Sequence, residues 1–317
     1  MIDTKKRSAW YVFKKTICFV LLKLAINLTC IILSLLVLWV LFVSMNDRWG
    51  AAAILVLLGF WALLTYGLFP IADKFGGYLI RAGHIAVISE YAKTGTIPER
   101  QIKYGLRKVK EKFPTTSVYF FVHNLVKNSV KDIQRLFIKT VDDISIFLHL
   151  SMIQSLATLF MNVWLGSVDD CCLGYTYINP KQGAAQSACD GVVLYAANWK
   201  EMMRCAASTM GLAVLMCIVL VVVPITVAMI HLLSIEVLSV WSLAICLFAF
   251  YAATAVKKAV IDSLTVCRMV LKFSECAENT TLTSEYYSEL KSVSVKFRHL
   301  CSAAKKENEN RKTKKPN

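Results

Sequence analysis

Residues 24–44 read LAINLTCIILSLLVLWVLFVS, from Leu24 to Ser44, without one charged side chain. A helix needs about 20 apolar residues to cross hydrocarbon, because nothing inside a bilayer satisfies an open backbone group. This stretch has that length, and with the preceding turn at 18–22 it can span with tilt. After the short link 45–49, residues 50–72 form a second apolar block, so the two read as a tight helical hairpin. The arrangement recurs later: residues 205–230, interrupted by Pro224, are joined by 231–236 to residues 237–256. A fifth block, 144–168, is long enough but holds His149, Gln154 and Asn162, and reads as a span packed against protein. The first block is no cleavable signal, since its apolar core far exceeds the roughly 7–15 residues of a signal h-region.

Composition agrees with this reading. The chain of 317 residues is 56% apolar and 18% charged, against about 45–50% and about 25% in soluble domains. That excludes an ordinary soluble enzyme, a secreted disulfide scaffold and a disordered regulator. The expected fold class is an all-α, polytopic helical membrane protein with about 4–6 spans and an amphipathic interfacial helix.

The formal charge of +15 reports orientation, because cytoplasmic loops are enriched in Lys and Arg. Basic residues crowd the segment before the first span, the 73–143 segment and the 257–317 segment, whereas 169–204 holds only Lys181, Lys200 and Arg204. Both termini and the 73–143 segment are therefore expected in the cytoplasm of a plasma or bacterial inner membrane. Cytoplasmic termini need an even number of crossings. Either 144–168 does not cross, or a sixth segment does, for which 78–91 and 183–199 are the candidates; six crossings are favoured over four. Four segments follow. Residues 1–72 are a basic start plus the hairpin, and 73–143 are a basic cytoplasmic or interfacial helical region. Residues 144–256 form a membrane core with a broken stretch at 169–204. Residues 257–317 are a basic cytoplasmic helix with a tail, 305–317, expected to be disordered.

Residues 117–141 carry apolar side chains at helical spacing (Val118, Val122, Val126, Ile133, Phe137), with Lys127, Lys131, Arg135 and Lys139 opposite. Two readings fit: an interfacial helix contacting anionic lipid through those four cations, or a helix packed on a protein neighbour. Residues 98–112 are also basic, but Tyr104 is their sole aromatic. Binding of nucleic acid would want aromatic platforms among the charges, so nucleic acid is not an expected partner.

No cofactor or metal is expected: the five His are scattered and no CxxC or HxxxH spacing occurs. No nucleophile elbow or phosphate loop supports an enzyme. Cys171, Cys172 and Cys189 share the one segment expected outside, where a disulfide would be chemically allowed but nothing implies one. Asp169 and Asp170 follow the fifth block and precede Tyr175 and Tyr177, with Trp199 not far beyond. Carboxylates with aromatic faces bind organic cations, so these five residues are the candidate substrate site. The bland alternative is a solvated helix end beside an interfacial aromatic belt.

The pattern Tyr177-Ile178, Gly183, Ser187-Ala188 and Asn198, with Asp262-Ser263 and Cys267 further on, resembles the choline transporter-like membrane proteins. The resemblance covers roughly residues 140–275, and includes two long apolar spans between the motifs. The chain departs from the family in being about half its usual length, in lacking its large extracellular domain, and in having Thr176 where the family has Ala. The resemblance implies a helical membrane core with a broken helix near 175–183 that handles choline-like cations or lipids. The expected function is transport of a small organic or lipid-derived solute. The alternative is a non-transporting scaffold or complex subunit that binds anionic lipid through a basic cytoplasmic face. Expected partners are the bilayer and its anionic headgroups, a small organic cation, and copies of the chain or other subunits of a membrane complex.

Overall fold

In a computed structural model of the chain, residues 8–44, 77–113, 164–234 and 240–313 are described, with isolated positions at 56, 59–61, 124, 126, 128, 129 and 160. Every described element is helical: α1 (Ala9–Lys15), α2 (Ile17–Ser44), α3 (Tyr78–Thr94), α4 (Gln101–Lys112) and α5 (Val168–Ile178) in the first half. There follow α6 (Ala184–Ala197), α7 (Trp199–Ser234), α8 (Val240–Glu278), α9 (Ser284–Val293) and α10 (Val295–Thr313). The all-α expectation therefore holds. The chain divides into two compact units. Unit 1 takes Met1–Thr16, Ala82–Leu212 and Leu264–Asn317, and unit 2 takes Ile17–Arg81 and Ala213–Ser263.

In unit 2 the buried stripe of α2 mixes Phe19, Val20 and Ile31 with Lys23, Asn27 and Ser34, while Leu21, Ile32, Leu33, Leu36 and Trp39 are exposed. These positions follow the helical period, so large apolar side chains stand outward and polar ones share the inward face. Lys23 Nζ lies 3.7 Å from Asp262 on α8, and Trp61 Nε1 donates to the Ser34 carbonyl at 2.8 Å. On α7, Val214 belongs to the same outward apolar set as Leu215, Ile218, Val222 and Met229. Among the described residues one helical stretch, Ile17–Leu36, is long and apolar enough to cross a membrane, and only 28% of it is buried. A soluble core helix of that composition would be mostly covered.

Unit 1 has a conventional core, with Phe273, Phe297, Leu300, Met202 and Ile85 fully buried. Three glycines set its helix spacing. A Cβ on Gly105 would stand 2.5 Å from the Gly83 carbonyl oxygen, so α4 crosses α3 backbone to backbone. Gly174 is pressed by Val270 of α8, and Gly191 by the Cys172 backbone, which packs α5 tightly on α6. His84 Nε2 is 2.8 Å from Thr16 Oγ1 and 3.7 Å from Cys267 Sγ, all three buried. Burial pushes the Cys267 thiol up to about 12.

Several expectations are corrected. The candidate sixth crossings, 78–91 and 183–199, are core helices: Ala82–Ile88 of α3 and most of α6 are buried inside unit 1, which explains their apolar content without lipid. Within the expected 144–256 segment, α5, α6 and the start of α7 fall in unit 1 with α3, α4 and the C-terminal helices. The tail is not disordered from 305: α10 runs to Thr313, held by buried Phe297, Leu300 and Ala304. Nor does Pro224 break its block, since α7 continues through it to Ser234. Neighbouring groups re-satisfy a freed carbonyl in such helices.

Candidate functional site: the α5–α6 junction and the C-terminal helix

Pro180 cannot follow a residue in helical conformation without a clash, and Asn179 leaves the helix at φ −107°, ψ 72°, ending α5. The chain re-enters helix at Ala184 from an extended Gly183, which has no side chain to cap the new N-terminus. The missing cap comes from 123 residues away. Glu307 of α10 accepts from Ala184 N at 2.9 Å and from Ala185 N at 2.8 Å, one through each carboxylate oxygen. A carboxylate at the positive end of a helix is well placed, and both bonds are charge-assisted.

Cations close the other side of the junction. Lys112 Nζ donates to the Gln182 carbonyl at 2.7 Å and the Asn179 carbonyl at 3.0 Å. Arg311 donates to the Lys181 carbonyl at 3.0 Å, and Lys93 to the Ile178 carbonyl at 3.3 Å. Ile178 and Asn179 stand at the open C-terminal end of α5, and Lys181 and Gln182 in the link that follows. Burial, with the Arg311 charge nearby, pulls the Lys112 amine down to about 8.

Two turns into α6 lies Asp190, 3% exposed. Its Oδ1 accepts from Gln186 Nε2 at 2.6 Å and from the Tyr287 hydroxyl at 2.7 Å, and its Oδ2 from Gln182 Nε2 at 3.3 Å. Burial raises its carboxyl above the ordinary value, and the three donors pull it partly back. Tyr287 is raised strongly by the same burial and by facing the carboxylate. Next to Asp190, Cys189 Sγ stands 2.9 Å from Cys301 Sγ on α10. A cavity of about 340 Å³ opens beside the pair, lined by Tyr287, Lys291, Lys305 and Asn308 among others.

The residues expected from sequence do not form one cage. Asp169 and Asp170 start α5 and Tyr175 and Tyr177 end it, so about 9–12 Å of helix rise separates Asp169 from the rings. Tyr175 stacks edge-on to Phe273 at 6.3 Å and Tyr177 edge-on to Phe113 at 6.4 Å. Trp199 is 39% exposed and already carries the Lys200 ammonium over its ring at 5.6 Å. The Tyr177 hydroxyl is buried without a hydrogen-bond partner. Compared with known proteins, the chain matches no family model, no curated protein and no solved structure. The choline transporter-like resemblance thus rests on the residues quoted for it. Of these, Asn198 donates to Thr280 Oγ1 at 2.9 Å where α6 passes into α7.

Lys127, Lys131, Arg135 and Lys139 lie outside the described residues. Of the described positions nearby, Asn124 is exposed and Val126 buried, and the Ser129 carbonyl accepts from Ser294 Oγ at 3.5 Å. The sequence analysis missed Asp190, Glu307 and Cys301. Gly183, just after a Pro-terminated helix, brings no capping side chain, and that was the one local signal that the α6 N-terminus is open to a group from elsewhere. No group of three metal-binding side chains occurs among the described residues.

Proposed function

We propose that this chain is a four-span membrane protein whose unit 1 lies at the cytoplasmic face and binds anionic lipid headgroups. Each passage through unit 2, 17–81 and 213–263, holds all or most of two clean apolar blocks and so returns to its starting side. With the block 144–168 read as not crossing, all of unit 1 shares one side, and its basic segments make that side the cytoplasm. On this reading the 169–204 stretch is cytoplasmic too, although it is poor in Lys and Arg.

The observation that carries the lipid reading is the outer face of α4. Gly105 and Val109 are buried, while Lys103, Arg107 and Lys110 are exposed together with Ile102. Glu111 offsets part of that charge, 3.6 Å from Arg107 and 3.2 Å from Lys108. Each cation near an anionic leaflet contributes about 1 kcal/mol. The test is native mass spectrometry of protein extracted from mixed phosphatidylcholine and phosphatidylserine membranes. Retained phosphatidylserine should fall when Lys103, Arg107 and Lys110 are all replaced by Gln. Equal retention would refute the lipid-binding reading.

A second reading, transport of a small organic cation, is favoured by the inward polar stripe of α2 with the Lys23–Asp262 pair. Lys23 and Asp262 flank the blocks 24–44 and 237–256, and ionisable groups in membrane segments pair with one another or mark a solute path. Uptake of choline by proteoliposomes, lost in Asp262→Asn, would establish it. It would use unit 2 and not the Asp169, Asp170, Tyr175, Tyr177 and Trp199 set.

A further inference from the structure

Nine cysteines lie among the described residues, and two of them differ from the rest in their surroundings. Cys189 of α6 and Cys301 of α10, remote in sequence, meet at 2.9 Å between sulfurs. Closing that gap to the roughly 2.05 Å of a disulfide takes less than an ångström. Cys301 is part-exposed and opens on the cavity lined by Lys291 and Lys305, whereas Cys171 and Cys172 are 0% and 1% exposed. We propose that Cys189 and Cys301 are a redox-active thiol pair which a hydroperoxide converts to a disulfide, stapling α10 to α6. The pair lies within unit 1, so the inference holds whichever side of the membrane unit 1 occupies.

The chemistry follows from the asymmetry of the pair. The two sulfurs share a contact in which either can be the donor. Cys301, the part-exposed one, opens on the cavity that Lys291 lines, and the bond to Cys189 with the Lys291 charge lowers its thiol below the ordinary value. Cys189 is raised by its contact with Cys301 and by burial. Because Cys301 is part-exposed on the Lys291-lined cavity and Cys189 is 2% exposed behind it, Cys301 is the attacking sulfur and Cys189 the resolving one. The Cys301 thiolate attacks the distal peroxide oxygen; an S–O bond forms, the O–O bond breaks, and the leaving alkoxide takes a proton to become an alcohol. Cys189 then attacks the Cys301 sulfur of the sulfenic acid. An S–S bond forms, the S–O bond breaks, and hydroxide leaves with the Cys189 proton as water. Two thiols lose two electrons and two protons, and one hydroperoxide is reduced to an alcohol and water. Vicinal Cys171 and Cys172 are 0% and 1% exposed, and burial pushes both thiols well up.

The staple has a consequence at the junction. Cys301 and Glu307 sit on the same helix, α10, so the disulfide would hold the Glu307 carboxylate over Ala184 and Ala185. The test uses the full chain in detergent with hydrogen peroxide as oxidant, followed by alkylation and peptide mass spectrometry. The expected result is joint loss of two alkylatable thiols and a cross-linked peptide pair containing Cys189 and Cys301, lighter by two hydrogens and restored by dithiothreitol. Cys189→Ser should leave a Cys301 sulfenic acid that dimedone traps, and Lys291→Gln should slow oxidation of the wild-type pair. Both measurements on the wild-type chain stand even where a variant misfolds. Continued alkylation of both residues at peroxide levels that oxidise other cysteines would overturn the proposal, as would a cross-link from either to a different cysteine.

Discussion

Glu307→Ala isolates what α10 does for the α5–α6 junction. The carboxylate satisfies two of the open N–H groups of α6 at 2.9 and 2.8 Å, and Gly183 supplies no cap of its own. Hydrogen bonds to charged groups contribute about 1.5–3 kcal/mol each when buried. Glu307 is only half-buried, so the lower end applies and the two bonds are not independent. A loss of about 2 kcal/mol is then expected, with a helix-dipole share of about 0.3–1 kcal/mol inside it. That is roughly a 30-fold rise in the population of the locally opened junction. The assay is hydrogen exchange at the Ala184 and Ala185 amides, read by mass spectrometry on short peptides. Both amides should exchange about 30-fold faster in the variant, while peptides from α3 stay unchanged. Glu307→Gln, which keeps an acceptor without the charge, should fall between. Unchanged exchange at these amides would refute the capping role, and uniform acceleration throughout unit 1 would show a global effect instead.

Other outcomes follow from the same geometry. Gly105→Ala drives a Cβ into the Gly83 backbone, and overpacking of about 1–3 kcal/mol outweighs a helix-propensity gain of up to about 1 kcal/mol. The variant should unfold at lower temperature in a thermal scan; an unchanged midpoint would mean α4 does not cross α3 so closely. Asp190 has a raised folded pKa, so the native state holds more protons than the unfolded one just above pH 3.8, and stability rises as pH falls through that window. Wild type should gain on Asp190→Asn as pH is lowered from 7 in parallel denaturation series, and a constant difference would contradict this. Within unit 2, Lys23 is 11% exposed and Asp262 41%. Asp262→Asn strands the more buried charge and should cost more stability than Lys23→Met, with the double variant recovering part of the loss, as a double-mutant cycle would measure.

The helical class was legible because lipid-length apolar runs and helical periodicity are local properties. Residues 24–44 and the α2 pattern needed no tertiary information. What sequence could not separate was a lipid-facing run from a core-facing one. The α3 stretch around Ile85 and the α6 stretch around Val193 are as apolar as a short span because both are buried in protein. The inward Lys23, Asn27 and Ser34 stripe was hidden for the opposite reason, being diluted among many apolar neighbours. Asp169, Asp170, Tyr175, Tyr177 and Trp199 drew notice by clustering in sequence, yet helix rise and ring packing separate them. The groups that do converge, Asp190 with Tyr287, Glu307 with Ala184, and Cys189 with Cys301, are joined across 97 to 123 residues. No local spacing can display such pairs. The tail was misread for a related reason: α10 is polar overall, and its helix is held by the few buried residues Phe297, Leu300 and Ala304.

The central claim is that unit 1, including the α5–α6 junction, lies wholly on the cytoplasmic side of four spans. Lys181 at that junction and Lys306 on α10 are both exposed and suit single-cysteine reporters, in a background with accessible native cysteines replaced. An impermeant maleimide is applied to intact cells expressing Lys181→Cys or Lys306→Cys, then again after permeabilisation, with Asn46→Cys as the hairpin control. The account predicts that Asn46→Cys labels from outside and that the other two label only after permeabilisation. Labelling of Lys181→Cys in intact cells, with Lys306→Cys still protected, would split unit 1 across the membrane and contradict it.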